Sequence, residues 1–407
     1  MRKGWDIKKL NEVCQFKSGT TISNELERSS GEILYAKVGD MTLPGNEKEI
    51  LGSSRFVNLK DINPNQLIPA GSVIFPKRGG AIATNKKRRI VKPTIVDLNT
   101  MAVTPSDFLD SDFLFHWFQQ IDLASISNGT SIPQINNYSF NDISICFPKS
   151  LPEQKRIVAI LDEAFAAIAK AKANTEKNLQ NAKELFESYL QNVFENKGEG
   201  WEEKCIEDVA KVVNGYSFKS KDFSPKNEIK SIKITNVGVK EFVEEEGNLL
   251  PGKFKDDYKE YIVNEGNIVI ALTRTIISAG LKVTIVPKSY QCSLLNQRVA
   301  ALIPNKEVLT KYLYCYLCTA SVSKYVLSNV NTLMQPNLSI NDLKRMLAPI
   351  PSFQEQKEIV ENLDALSEET KKLETIYQQK LDGLEELKKS ILQKAFSGEL
   401  TEKEVLV

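Results

Sequence analysis

Few residues in this chain have the types and spacing that covalent chemistry needs. Cys315 and Cys318 form a C-x-x-C, which a zinc site would complete with a second such pair or with histidines. The sequence holds a single histidine, His116. The cysteine pair lies in the apolar, helical-looking stretch Tyr312 to Cys318, where it reads as two small buried residues. His116, flanked by Phe115, Trp117 and Phe118, reads as a helix residue at the margin of a core, which leaves acid–base catalysis little to work with. Asp222 with Glu228-Ile229-Lys230 follows the acid pattern of some nucleases only faintly, over an interval short enough to arise by chance. There is no N-P-P-aromatic segment for amine methylation, no Gly-rich strand–helix fingerprint and no G-x-x-x-x-G-K-[S/T] loop. Neither catalytic residues nor a metal site are expected.

Binding is the chemistry that remains. The net charge of +1 conceals two long intervals without a single acid, Ile62 to Val96 and Gly266 to Lys306. The first carries Lys77, Arg78, Lys86, Lys87, Arg88, Arg89 and Lys92; the second carries Arg274, Lys282, Lys288, Arg298 and Lys306. A surface that keeps cations and sheds carboxylates suits a phosphate backbone, because each neutralised phosphate releases condensed counterions. Lysines that protect a strand edge from aggregation would look similar. Recurrence at corresponding places favours nucleic acid. Arg78 and Arg274 each follow an apolar strand and could present a bidentate fork to guanine, whereas Lys86 to Arg89 resemble backbone clamps. Gln134 and Asn136 in one polar loop, and Gln335 and Asn337 in another, could pair with adenine edges, although turn chemistry alone also places such residues.

The elements that must carry these residues are short strands and helices. β-Branched and aromatic runs at 33–38, 73–75, 232–237, 268–272 and 281–286 read as strands, and amphipathic helices are expected over about 111–127 and 310–328. A polar loop follows each helix.

The same succession occurs twice. Gly4-Trp5 recurs as Gly200-Trp201, and Glu153-Gln154-Lys155 as Glu355-Gln356-Lys357, with 15 identities in the 42 ungapped positions from Glu153 and from Glu355. A 3.5-residue apolar period runs through both segments, through Ile157, Leu161, Ile168, Leu185 and Tyr189 in one and Ile359, Leu363, Leu373, Leu387 and Ile391 in the other. The expected fold is α+β: two similar mixed α/β blocks joined by two long helices that form an antiparallel coiled coil with pseudo-twofold symmetry. The expected boundaries are 1–150 and 199–351 for the blocks, 151–198 and 352–400 for the helices, and 401–407 for a tail. At about 1.5 Å per residue each helix would be roughly 60 Å long, a spacer between two half-sites on duplex DNA.

No run of 18 apolar residues is present and the N-terminus lacks the apolar segment of a secretory signal, so a reduced cytoplasmic location without membrane contact is expected. Two other readings stay open. One is a stand-alone DNA-cleaving enzyme with a metal site built from scattered carboxylates, and the other a coiled-coil scaffold that binds only proteins.

The residues resemble the specificity subunits of type I restriction-modification systems over essentially the whole chain. The resemblance is carried by the paired blocks, by Phe147-Pro148-Lys149-Ser150-Leu151-Pro152-Glu153-Gln154-Lys155 and Pro349-Ile350-Pro351-Ser352-Phe353-Gln354-Glu355-Gln356-Lys357, by Gln335-Pro336-Asn337-Leu338 and by Lys394-Ala395-Phe396-Ser397-Gly398-Glu399-Leu400. The first loop departs from it, with Pro133-Gln134-Ile135-Asn136 where the family commonly has Gln-Pro-Asn. The resemblance implies two target-recognition domains that read an asymmetric bipartite site in double-stranded DNA. It also implies two methyltransferase and two restriction subunits as partners, with S-adenosylmethionine, ATP and Mg bound by those partners and no cofactor here. The helices, including Glu368, Glu369, Glu374, Glu385 and Glu386, would be the docking surface.

Overall fold

The computed structural model describes residues 3–247, 249–329 and 337–400. The chain divides into two compact units, Met1–Glu176 with Gln379–Val407, and Lys177–Gln378. Each unit therefore holds one block and a length of both long helices, because the apolar stripe of each helix is completed by side chains of the block it accompanies.

In unit one a five-stranded sheet runs in the order Cys14–Ser18, Thr100–Pro105, Val73–Pro76, Arg88–Ile90, Glu49–Ile50. Its pairings are antiparallel except for the parallel edge between Glu49–Ile50 and Arg88–Ile90. A three-stranded sheet, Phe56–Val57, Ile33–Ala36, Ile95–Val96, lies beside it in the chain. The strand Trp5–Lys9 pairs with Ser144–Pro148 and ties the start of the block to its end. Val73–Pro76 is buried on both faces, as a central strand with no alternation in sequence must be.

Unit two repeats the plan. The sheet Ala210–Asn214, Val299–Pro304, Ile268–Ala271, Val283–Ile285 is fully antiparallel, a second sheet contains Ile229–Ile232 and Ser293–Leu295 in parallel, and Glu202–Cys205 pairs with Leu347–Ile350.

Four helices matter for the site: α1 (Ser111–Phe118), α2 (Leu151–Glu195), α3 (Thr310–Leu317) and α4 (Phe353–Ser397). α1 starts at Asp110, whose carboxylate accepts the N–H groups of Asp112 and Phe113. It ends at Phe118, earlier than the apolar pattern predicts, as the N–H groups of Gln120 and Ile121 turn to carbonyls three residues back. The second amphipathic segment breaks after Leu317 and resumes at Ala320, where buried Thr319 accepts the N–H of Val322.

In unit one Ile157 and Leu161 of α2 share a core with Leu392, Ala395 and Phe396 of α4, and Phe396 meets Phe113 edge-on at 5.1 Å. In unit two Leu190 and Phe194 from the end of α2 share a core with Leu363 near the start of α4. The beginning of one helix thus lies with the end of the other inside each unit, which is antiparallel pairing. Ile168, Ile359 and Ile391 are half-buried along the same stripe.

Four expected seam residues do not belong to it. Leu185, Tyr189, Leu373 and Leu387 are 49%, 38%, 37% and 47% exposed. Phe186, Leu190, Glu374 and Lys388 turn inward in their place. A straight α-helix drifts by about 20° per heptad against a 3.5-residue repeat, so a strict 4-3 series walks off the buried face within a few turns.

His116 is buried on α1, and its Nε2 lies 3.1 Å from Asp162 of α2, which also accepts the Lys48 ammonium at 2.8 Å. Burial pushes its pKa down. Cys315 and Cys318 are free thiols, pushed up to about 12 and about 11 by burial. They act as small core residues. No group of three or more His, Cys, Asp or Glu side chains that could hold a metal ion occurs among the described residues.

Candidate nucleic-acid interface

The strand Val73–Pro76 delivers Lys77 and Arg78 to one edge of the first block. There the Lys77 N–H donates to the Asn99 carbonyl at 2.8 Å, and the Lys77 carbonyl accepts the Ile135 N–H at 2.9 Å. Arg78 and Gln134 form an isolated antiparallel bridge, and the Gly79 N–H reaches the Pro133 carbonyl at 2.8 Å. Sequence-distant loops are thereby stitched into a single edge. Arg78 is exposed, and no hydrogen bond or ion pair of its guanidinium occurs among the described residues. Asn136 is half-buried, and its amide donates to the Tyr138 hydroxyl at 2.9 Å.

The second block is built on the same backbone bonds. The Leu272 N–H donates to the Arg298 carbonyl at 2.8 Å, the Leu272 carbonyl accepts the Leu338 N–H at 2.9 Å, and Thr273 bridges Asn337. Lys77 therefore corresponds to Leu272, Arg78 to Thr273, and Asn99 to Arg298. Arg274 takes the place of Gly79, and both adopt left-handed backbone, with φ of +48° and +70°. Non-glycine residues in that region carry a conformational cost of order 1 kcal/mol, which concentrates at functional sites. Arg274 and Arg298 are exposed, and Asn337 lies exposed beside them. Gln335 falls outside the described residues.

Each edge also crowds two cations. Burial and then the neighbouring Arg78 lower the pKa of Lys77; burial and then the neighbouring Arg274 lower that of Lys282. The Lys77 ammonium donates to Ser18, and that of Lys282 to the Ile234 carbonyl. Like charges held together in this way are relieved by an anion.

The basic run Lys86 to Arg89 behaves differently from the clamp that its sequence implies. Lys87 is only 3% exposed, and its ammonium donates to Asn85 Oδ1 at 2.8 Å and to the Ile121 carbonyl at 2.5 Å. Arg88 donates to the carbonyls of Met41 and Lys87. Arg89 forms ion pairs with Glu49 and Asp112. Of the four, only Lys86 has an ammonium with no partner among the described residues. The inward turn follows from strand geometry, since Arg88–Ile90 is an internal strand of the sheet whose side chains meet other elements on both faces.

The type I restriction modification DNA specificity domain model matches residues 2–179 and 198–382. The chain belongs to that family. It is 26% identical over 422 residues to the type I restriction enzyme MjaVIII specificity subunit of Methanocaldococcus jannaschii, covering 97% of this chain and 93% of that protein. Among solved structures it resembles a chain from a study of complex assembly and conformational transition of the type I R-M system, with a TM-score of 0.75, 19% identity, and 98% and 99% of the two chains covered. It also resembles the HsdS subunit from Thermoanaerobacter tengcongensis, with a TM-score of 0.64, 19% identity and 98% of each chain covered. Family membership accounts for the duplicated block-and-helix plan. No helix among the described residues is long and apolar enough to cross a membrane.

Sequence reading missed Gln154 and Gln356, which are completely buried where α2 and α4 begin. Their recurrence in Glu-Gln-Lys was the available signal.

Proposed function

We propose that this chain is the DNA-reading subunit of a type I restriction-modification complex, each block reading one half of an asymmetric bipartite duplex site. The observation that carries this reading is the recurrence of one backbone frame at the edge of both blocks, presenting exposed guanidinium groups beside a crowded lysine. Arg78 and Gln134 serve the first half-site, with Asn136 and Lys86 flanking them. Arg274, Arg298 and Asn337 serve the second, together with Gln335, two positions before Asn337 in the sequence. Lys77 and Lys282 supply positive potential from behind these residues. Lys87, Arg88 and Arg89 support the frame from within and make no phosphate contact.

Two methyltransferase subunits and two restriction subunits are the partners of this reading, and S-adenosylmethionine, ATP and Mg belong to them. The exposed apolar residues Leu185, Tyr189, Leu373 and Leu387 support docking of partner proteins on α2 and α4, with exposed Glu368, Glu369 and Glu386 on the same helices, whereas Glu374 turns inward. Glu385 is already paired with Lys172 at 2.7 Å and Glu368 with Lys372 at 2.6 Å. A cytoplasmic location fits such a complex.

Mapping methylated adenines in a host that carries this chain with its methyltransferase tests the proposal. An asymmetric two-part motif that disappears when the chain is deleted is the expected result. Methylation that is absent, or unchanged by the deletion, overturns it.

A further inference from the structure

The turn that opens the strand beside Val73–Pro76 has a counterpart in the second block that can be fixed bond by bond. The Asp97 N–H donates to the Ala36 carbonyl at 3.0 Å, and the Asn296 N–H to the Ile232 carbonyl at 2.9 Å. The Asp97 carbonyl accepts the Thr100 N–H at 2.9 Å, and the Asn296 carbonyl the Val299 N–H at 3.1 Å. Gly19 donates to the Thr100 carbonyl and Gly215 to the Val299 carbonyl. A Cβ on either glycine would collide with the carbonyl oxygen of Asp97 or Asn296 respectively. Asp97-Leu98-Asn99 and Asn296-Gln297-Arg298 are thus the same turn, pressed against the same glycine and joined to the same edge through the Asn99 and Arg298 carbonyls.

Only part of each turn is consumed by its own structure. In the first block the Asp97 carboxylate accepts the Thr100 hydroxyl at 2.6 Å and the Asn99 amide at 3.0 Å. That leaves Leu98 at the tip, 45% exposed on a polar edge, with apolar surface that water solvates poorly. In the second block Gln297 is exposed, and no hydrogen bond of its amide occurs among the described residues, although its N–H is pinned to the Tyr216 carbonyl at 2.9 Å. Asn296, Gln297 and Arg298 also line an open cleft of about 340 Å³ walled by Phe218, Phe223 and Lys233.

We propose that this turn is a base-reading element of each block, with Leu98 and Gln297 as the side chains that set one position of their respective half-sites. The inference rests on the reading of the chain as a DNA specificity subunit. The chemistry differs between the tips because the groups they can satisfy differ. A leucine buries its methyl groups against the 5-methyl of thymine, and a glutamine amide meets the N6 and N7 of adenine with two hydrogen bonds. The backbone frame stays fixed while the tip residue changes, which lets two blocks of one plan read unlike half-sites.

The test is selection of duplexes from a randomised pool by the full chain in complex with its methyltransferase, comparing the parent with Leu98→Gln, Leu98→Ala, Gln297→Leu and Gln297→Ala. The expected result is a change of preference of roughly tenfold at one position of one half-site. Substitutions at Leu98 alter only the first half and those at Gln297 only the second, the untouched positions reporting that the block is folded. If all four variants select the parental motif, the turn does not read bases, while the specificity-subunit reading stands on the parental motif. If the parent selects no motif, that reading fails and takes this one with it.

Discussion

Gln154 accepts the backbone N–H of Asp110 at 2.7 Å, through Oε1, from a fully buried position at the start of α2. Its amide donates to the Phe108 and Pro148 carbonyls. Gln356 repeats the arrangement with the Leu309 N–H at 2.8 Å and with the carbonyls of Glu307 and Pro351. One side chain thus satisfies the N-terminal end of the block's short helix, the loop before it and the last strand together. Removing it leaves several buried backbone groups unpaired, at about 1–3 kcal/mol each. Gln154→Leu and Gln356→Leu are each expected to destabilise the chain by about 3 kcal/mol or more in denaturant titrations. A loss below about 1 kcal/mol would show that water replaces the amide.

Gly19 and Gly215 hold the reading turns by close backbone approach. Alanine at either position must push the turn away, with an expected cost of about 1–3 kcal/mol. The thermal midpoint should fall, and discrimination should weaken only at the half-site of the altered block. Unchanged selectivity together with unchanged stability would mean that the frame yields freely.

Arg78→Ala and Arg274→Ala are expected to relax discrimination at one half-site each by about 1–3 kcal/mol. Lys87→Ala should leave the salt dependence of binding unaltered, because a buried ammonium releases no counterions from DNA. Affinity measured across a salt series on matched and mismatched duplexes checks both. A shallower slope for Lys87→Ala would place that residue on phosphate.

Lys87 also gives a pH signature. Burial, opposed by the attraction of Asp122, pushes its ammonium down to about 8 from an ordinary value of 10.5. Between those values the unfolded chain holds a proton that the folded chain has released, so the stability contributed here rises with pH across the window and is lowest below it. Relative to Lys87→Met, the parent should gain about 2 kcal/mol between pH 7.5 and 10.5, after allowance for residual solvent access. Denaturant titrations of both proteins at the two pH values read the difference. A constant gap would mean that the amine stays protonated.

The sequence made the duplication legible because 15 identities recur at constant spacing in α2 and α4, where both helices must meet the same kind of apolar stripe. The phase of that stripe was less legible. Leu373 and Leu387 suit a heptad on paper, yet they are exposed, and Glu374 and Lys388 turn inward. At the candidate edge, charge composition pointed to the ends of two apolar strands but could not distinguish Arg78, which faces solvent, from Arg89, which is spent on Glu49 and Asp112. That distinction depends on which strands the sheet places inside. The register at that edge was legible: an ungapped offset of 195 through Ala70-Gly71 and Glu265-Gly266 sets Arg78 against Thr273 and Gly79 against Arg274, and the ladder bonds agree.

The glutamine joint has one more property. Everything Gln154 grips is main chain: an N–H at Asp110 and carbonyls at Phe108 and Pro148. Such a clasp is blind to side-chain identity in the module it holds. A foreign recognition module grafted onto the same helix would find its seat already cut, so lineages can exchange what is read without redesigning the handle.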